Sequence, residues 1–105
     1  MLGVARVGDF EFGSCPTGPS SADPSLSIAS GAGTVFVNEK AIARTGDPYS
    51  GVHVHISLSD QMHDVECGQG SETVFAEEKA VFRIGDPTSC LSVQKDGSDN
   101  VFAGG

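Results

Sequence analysis

Six side chains in this 105-residue chain can ligate a borderline-soft divalent metal: Cys15, His53, His55, His63, Cys67 and Cys90. Thiolate and imidazole are the ligands zinc takes in closed, tetrahedral structural sites. No CxxC pairing is present. Three of the six instead stand just beyond a recurring Gly-Asp pair: Cys15 six residues after Asp9, His53 six after Asp47, and Cys90 four after Asp86. If those turns are equivalent about an axis, the three segments deliver three ligands to one point. A fourth must come from the segment that also holds His55, His63 and Cys67. Two thiolates with two imidazoles make a closed zinc set, and such a site contributes folding free energy directly. A plainer reading stands beside it. Lone cysteines are often small buried hydrophobes, and His53-Val54-His55 also reads as an exposed strand with two solvated imidazoles.

The equivalence of the turns rests on an internal repeat. Residues 34–48 read TVFVNEKAIARTGDP and residues 73–87 read TVFAEEKAVFRIGDP, identical at ten of fifteen positions with an offset of 39. A third copy is split between the chain ends. Asn100 to Gly105 (NVFAGG) repeats the start of the unit, and Val4 to Asp9 (VARVGD) repeats its end. A fixed period governs architecture before any single residue does. The expectation is one domain over 1–105, with repeats at about 31–48, 70–87, and 97–105 joined with 1–9.

Each unit reads as two short strands. TVFV and TVFA alternate with period two and are rich in Val and Phe, while AIAR and AVFR form the return strands. Asn38-Glu39-Lys40 and Glu77-Glu78-Lys79 are the expected connections. Gly-Asp-Pro then stops each strand, because Gly permits positive φ, Asp caps a turn and Pro removes a ladder donor. Arg6, Arg44 and Arg83 precede the three Gly-Asp pairs at the same spacing. A catalytic carboxylate is wanted once, so an Arg and an Asp repeated three times read as a structural ion pair or turn cap. The intervening segments, 10–31, 49–70 and 88–97, are expected as loops. The fold class is therefore all-β, a small domain of three pseudo-threefold β-hairpin repeats with long loops, the third completed by the two termini.

Composition excludes several partners. A net charge of −8 and no basic stripe argue against nucleic acid and against anionic lipid. No apolar run approaches the length of a membrane span, so stable membrane insertion is not expected. The N-terminal MLGVARVGD has neither the charged nor the apolar region of a signal peptide, which points to synthesis in the cytoplasm. Three cysteines in a reducing compartment do not suggest a disulfide framework. With no Trp and one Tyr the core is thin, and a small domain of this kind commonly needs a staple such as a metal.

Other chemistry is weakly signalled. A Cys–His nucleophilic pair lacks an orienting third group. Gly68-Gln69-Gly70 lacks the strand-to-helix setting of a phosphate loop. Asp60, Asp64, Glu66 and Glu72 do not have EF-hand spacing. Enzymatic activity is not expected.

Taken together, GAGTVFVNEKAIARTGDP, GSETVFAEEKAVFRIGDP and the terminal GSDNVFAGG resemble the PAAR-repeat proteins, over the whole chain. The motif positions are Ala41-Ile42-Ala43-Arg44, Ala80-Val81-Phe82-Arg83 and Gly3-Val4-Ala5-Arg6, all without the family's Pro. The resemblance is closest to the stand-alone tip proteins of contractile-tailed phages. It implies a monomeric cone whose base caps a trimeric β-helical spike, one tip per trimer, at the puncturing end of a phage tail baseplate in the virion. It further implies one apical zinc, preferred to iron, with Cys15, His53, His63 and Cys90 as ligands and His55 and Cys67 as reserves. His63 is chosen because it stands 11 residues before Val74, as the family's later loop histidine does. The family's usual set is three His and one Cys, so a Cys2His2 set is a departure and Cys15 is its unusual member. The alternatives are a tip of a bacterial type VI secretion spike and, in a different class, a free zinc-binding enzyme or regulator.

Overall fold

Phe36 and Val37 pair with Ala41 and Lys40 across a connection of only two residues, Asn38 and Glu39. Both have positive φ, 53° and 69°. That is the backbone of a type I′ turn, whose twist matches the flanking strands. Glu77 and Glu78 repeat it at 51° and 71°. Lys40 and Lys79 thus begin the return strands and do not belong to the connections. The reason is geometric: the tightest hairpin turn has two central residues, not three.

In the computed structural model, residues 2–12, 26–55, 61–89 and 92–104 are described, with 52–55 and 61–64 described by their backbone alone. The strands are β1 (Leu2–Gly3), β2 (Phe36–Val37), β3 (Lys40–Ala41), β4 (Pro48–His55), β5 (Gln61–Glu66), β6 (Phe75–Ala76), β7 (Lys79–Ala80) and β8 (Phe102–Ala103). They form four two-stranded antiparallel sheets, β1-β8, β2-β3, β4-β5 and β6-β7, and no helix occurs among the described residues. In the β1-β8 sheet the two ends of the chain meet, Leu2 against Ala103 and Gly3 against Phe102. The expectation of an all-β chain holds. The segment 49–70, expected as a loop, instead carries most of the longest sheet. Pro48 opens β4 as its first residue, a position that tolerates a missing N–H.

Sheets of two residues do not stand alone, and backbone bonds between units join them. The Ala5 N–H donates to Phe82 C=O at 2.9 Å, Phe82 N–H to Ala43 C=O at 3.0 Å, and Ala43 N–H to Ala5 C=O at 2.9 Å. These three bonds close a ring of residues with no exposed surface. A second set runs parallel to it: Val7 to Ala41, Thr45 to Ala80 and Ile84 to Gly3. One core cluster holds Val4, Ala32, Val37, Ile42, Ala76, Val81 and Ala103. The other cluster contains the ring itself with Leu26, Ile28, Tyr49, Val65 and Cys67.

The Arg and Asp residues lock the turns. Each Asp carboxylate accepts from the backbone N–H, Nε and Nη2 of the Arg three residues earlier, in Arg6–Asp9, Arg44–Asp47 and Arg83–Asp86. Between them stand Gly8, Gly46 and Gly85 at φ 90–94°, as a type II turn demands at its third residue. The free Nη1 of each Arg reaches the next unit: Arg6 to Asn38, Arg44 to Glu77, and Arg83 to the carbonyl of Gly104. Planar five-donor guanidinium groups can serve both jobs at once. The repeated Arg and Asp are structural, as their repetition suggests.

Candidate metal centre and exposed aromatic triad

The β4-β5 hairpin places His53 opposite His63 on one rung of its ladder, with Val54 opposite Met62 and His55 opposite Gln61. Between Pro48 and Val52 the register shifts, four residues on β4 spanning two on β5. Gly51 sits within that bulge at φ 101°. A bulge re-aims a strand and changes which residues oppose one another. Here it brings into register two histidines that are ten residues apart in sequence. Spacing from Asp47 singles out His53 but does not pair it with His63. The alternation in Val52-His53-Val54-His55 and Gln61-Met62-His63 marks two strands but does not fix their register.

Cys15 and Cys90 lie outside the described residues; the described residues nearest to them are hydrogen-bonded to one another. Phe12, three residues before Cys15, donates its N–H to the carbonyl of Val93, three residues after Cys90, at 2.9 Å. Glu11 bridges Gln94 in the same antiparallel run. On the other side of Cys90, Ser89 ties to the end of β5: its N–H donates to Glu66 C=O at 2.8 Å and its hydroxyl accepts from Glu66 N–H at 3.0 Å. Thr88 and Ser92 close the short loop through N–H to C=O at 2.7 Å and hydroxyl to hydroxyl at 2.6 Å. The roots of the segment leading to Cys15, of the Cys90 loop and of the histidine hairpin are therefore bonded to one another.

Cys67 is placed differently. It is 2 % exposed, unpaired in any disulfide, and packed in the core with Ala43, Tyr49, Val65 and Phe82. Burial pushes its thiol well above the ordinary range and the nearby Asp47 charge adds to this, while a hydrogen bond with Tyr49 opposes it. Metal binding requires a thiolate, so this setting opposes it. Of the two reserve ligands, Cys67 behaves as a small core hydrophobe. His55 lies two positions along β4 from His53, opposite Gln61. Among the described residues, no group of three or more His, Cys, Asp or Glu side chains gathers as a metal site.

A second feature stands out on the hairpins. Phe36, Phe75 and Phe102 occupy the same position of the repeated unit and are 60 %, 60 % and 49 % exposed. Their successors Val37, Ala76 and Ala103 are buried. Period-two alternation sets Val35, Val74 and Val101 on one face and the three phenylalanines on the other, and does not by itself decide which set faces outward. The phenylalanines do so most strongly; Val35 packs against the core, and Val74 and Val101 remain part-exposed at 39 % and 36 %. Opposite them across the rungs stand the small residues Ala41, Ala80 and Gly3, which leave the rings uncovered.

No protein-family model matches the chain, and no curated protein matches it.

Proposed function

We propose that this protein is the tip of the central spike of a contractile injection machine, most simply a phage tail, and that it caps a trimeric β-helical spike through the Phe36, Phe75 and Phe102 face. The observation that carries this reading is the repetition of one large exposed aromatic at three equivalent positions around a closed backbone ring. A singly exposed Phe is ordinary surface, whereas a repeated set marks a contact. Three repeats about one axis would match a partner with three identical chains, and the three rings would contribute apolar area to that contact. The chain's extents, 39 × 23 × 23 Å, support a body with one long axis and equal widths, as a threefold cone has.

A structural zinc at the far end belongs to this reading. The cross-strand pair His53 and His63 supports two of its ligands, since opposed residues have Cβ atoms about 4.5–5.5 Å apart. Cys15 and Cys90 would complete the set. The bonded roots of their segments support convergence, and the core placement of Cys67 argues against that residue. Zinc would cross-link the three segments and so contribute folding free energy. The reading is of a mechanical part, used in piercing a cell envelope and carried in the virion, with no catalytic step.

The test is assembly. Purified protein mixed with a trimeric β-helical spike from the same machine should form a complex of one tip per three spike chains. Replacing Phe36, Phe75 and Phe102 together by Ser should abolish that complex while leaving the monomer folded. A protein that ignores such spikes and instead turns over a substrate would overturn the proposal in favour of a free zinc enzyme.

A further inference from the structure

The three seams between repeats are built alike but are not filled alike. In each, the residue after the Arg donates its N–H to the start of the neighbouring return strand: Val7 to Ala41, Thr45 to Ala80, Ile84 to Gly3. Opposite it lies a glycine, Gly31, Gly70 or Gly97. In the first seam Val7 closes on the glycine, its Cγ2 only 3.2 Å from where a Cβ on Gly31 would stand. In the third, Ile84 Cγ1 comes within 2.7 Å of the same point at Gly97. At Gly70 the three nearest atoms are all backbone, from Val81 and Phe82, and none belongs to Thr45.

The seam that holds Thr45 is open. A cavity of about 610 Å³ lies there, lined by Thr45, Gly70 and Ala80, with Glu72, Glu78 and Lys79 among its other walls. It falls within the size range of small-ligand sites. Thr45 Oγ1 is shut from solvent and, among the described residues, is the one buried side-chain N or O atom without a hydrogen-bond partner. A buried hydroxyl left unpaired is destabilising, and the other two seams avoid it with Val and Ile. The departure therefore costs stability at a position where the fold accepts an aliphatic residue twice. A staggered rotation about χ1 exchanges methyl and hydroxyl, so an occupant of the cavity can recover the missing bond.

We propose that this seam is a binding site for an alkylammonium group, the chemistry of a lysine side chain or a small free amine. The apolar stem lies along Ala80 and the Gly70 backbone, and the ammonium donates to Thr45 Oγ1. Glu72 and Glu78 outnumber Lys79 at the walls, in a protein of net charge −8. A cation is attracted and an anion is not. The site does not depend on the docking face or on the metal, so it stands or falls separately from the function proposed above.

Amide NMR of the full chain at low salt tests it, with N-acetyl-lysine N-methylamide and 1,4-diaminobutane as probes. Saturable shifts are expected at Thr45, Gly70 and Ala80 but not at Val7, Gly31 and Ala41. The neutral N-acetyl-norleucine N-methylamide should bind about tenfold more weakly, or less well still, for want of the charge. Tighter binding of the lysine analogue assigns the site to a protein side chain, and tighter binding of the diamine to a free amine. Thr45→Ile, which copies the third seam, should abolish the shifts, and Thr45→Ser should keep them. Should Thr45→Ile fail to fold, Thr45→Val takes its place. Absence of saturable shifts, equal response in all three seams, equal binding of the neutral probe, or unchanged binding by the filled variant would each overturn the site.

Discussion

The amide of Ala43 donates to the carbonyl of Ala5 at 2.9 Å although they are 38 positions apart, and neither has any exposed surface. The third member of that ring, Phe82, is the largest fully buried side chain among the described residues. Two alanines and one phenylalanine thus fill one central layer, so the ring's volume rests mainly on Phe82. Phe82→Ala should cost about 3–5 kcal/mol, the range for truncating a buried aromatic. Urea denaturation reads it directly. A loss below about 1 kcal/mol would mean that the layer collapses around the gap and that Phe82 does not hold it open.

The type I′ turns offer the opposite experiment. Glu39 and Glu78 hold φ 69° and 71°, where a side chain is disfavoured by about 1–2 kcal/mol and glycine is not. Glu39→Gly and Glu78→Gly should each raise the denaturation midpoint, by up to about 1 kcal/mol after the entropy that glycine adds to the unfolded chain. Glu77→Gly is the informative contrast. It relieves the same backbone cost but removes a carboxylate that binds Gly33, Thr34 and Arg44, and it should destabilise.

Much of this architecture was legible because repetition made it so. TVFV and TVFA disclose strands, and the split third copy foretells the pairing of Leu2 with Ala103. The Arg–Asp locks follow from asking why one carboxylate should be needed three times. The histidine hairpin was not legible in the same way. It belongs to no repeat, Gly51 and Ser50 read as loop residues, and the bulge that sets His53 against His63 has no sequence signature of its own. The outward face of the hairpins was undecided for a different reason. Both Val74 and Phe75 are apolar, and only the packing of Ala76 beneath them fixes which points away.

Acid should weaken one inter-repeat contact through Glu77. Hydrogen bonds from the Thr34 hydroxyl, from the N–H groups of Gly33 and Thr34, and the charge of Arg44 all favour its ionised form. They hold its carboxyl below the usual 4.5. A group whose folded pKa is depressed adds stability above its unfolded pKa and loses it as pH falls through the folded one. Stability from this contact is thus full above about pH 4.5 and declines below it. Glu77→Gln should lower stability at neutral pH and flatten the acid limb of the profile. If the variant keeps the wild-type slope between about pH 4.5 and 3, another group is responsible.

Cysteine substitutions separate the metal from the core. Cys90→Ser should lower zinc content and melting temperature together, and His63→Ala should do the same, because each removes a proposed ligand and with it a cross-link between segments. Cys67→Ser should lower the melting temperature alone, since it sets a hydroxyl among Ala43, Val65 and Phe82. Melting data by themselves therefore cannot rank the cysteines, and elemental analysis of protein purified without added metal must accompany them. Near-stoichiometric zinc in the native chain and in Cys67→Ser, with loss in Cys90→Ser and His63→Ala, is the expected pattern. Less than about a tenth of an equivalent in the native chain would remove the metal from the reading, because a structural zinc bound with the affinity of closed four-ligand sites survives purification. Loss of zinc in Cys67→Ser instead would move the centre from the hairpin into the core, against the burial that keeps that thiol protonated.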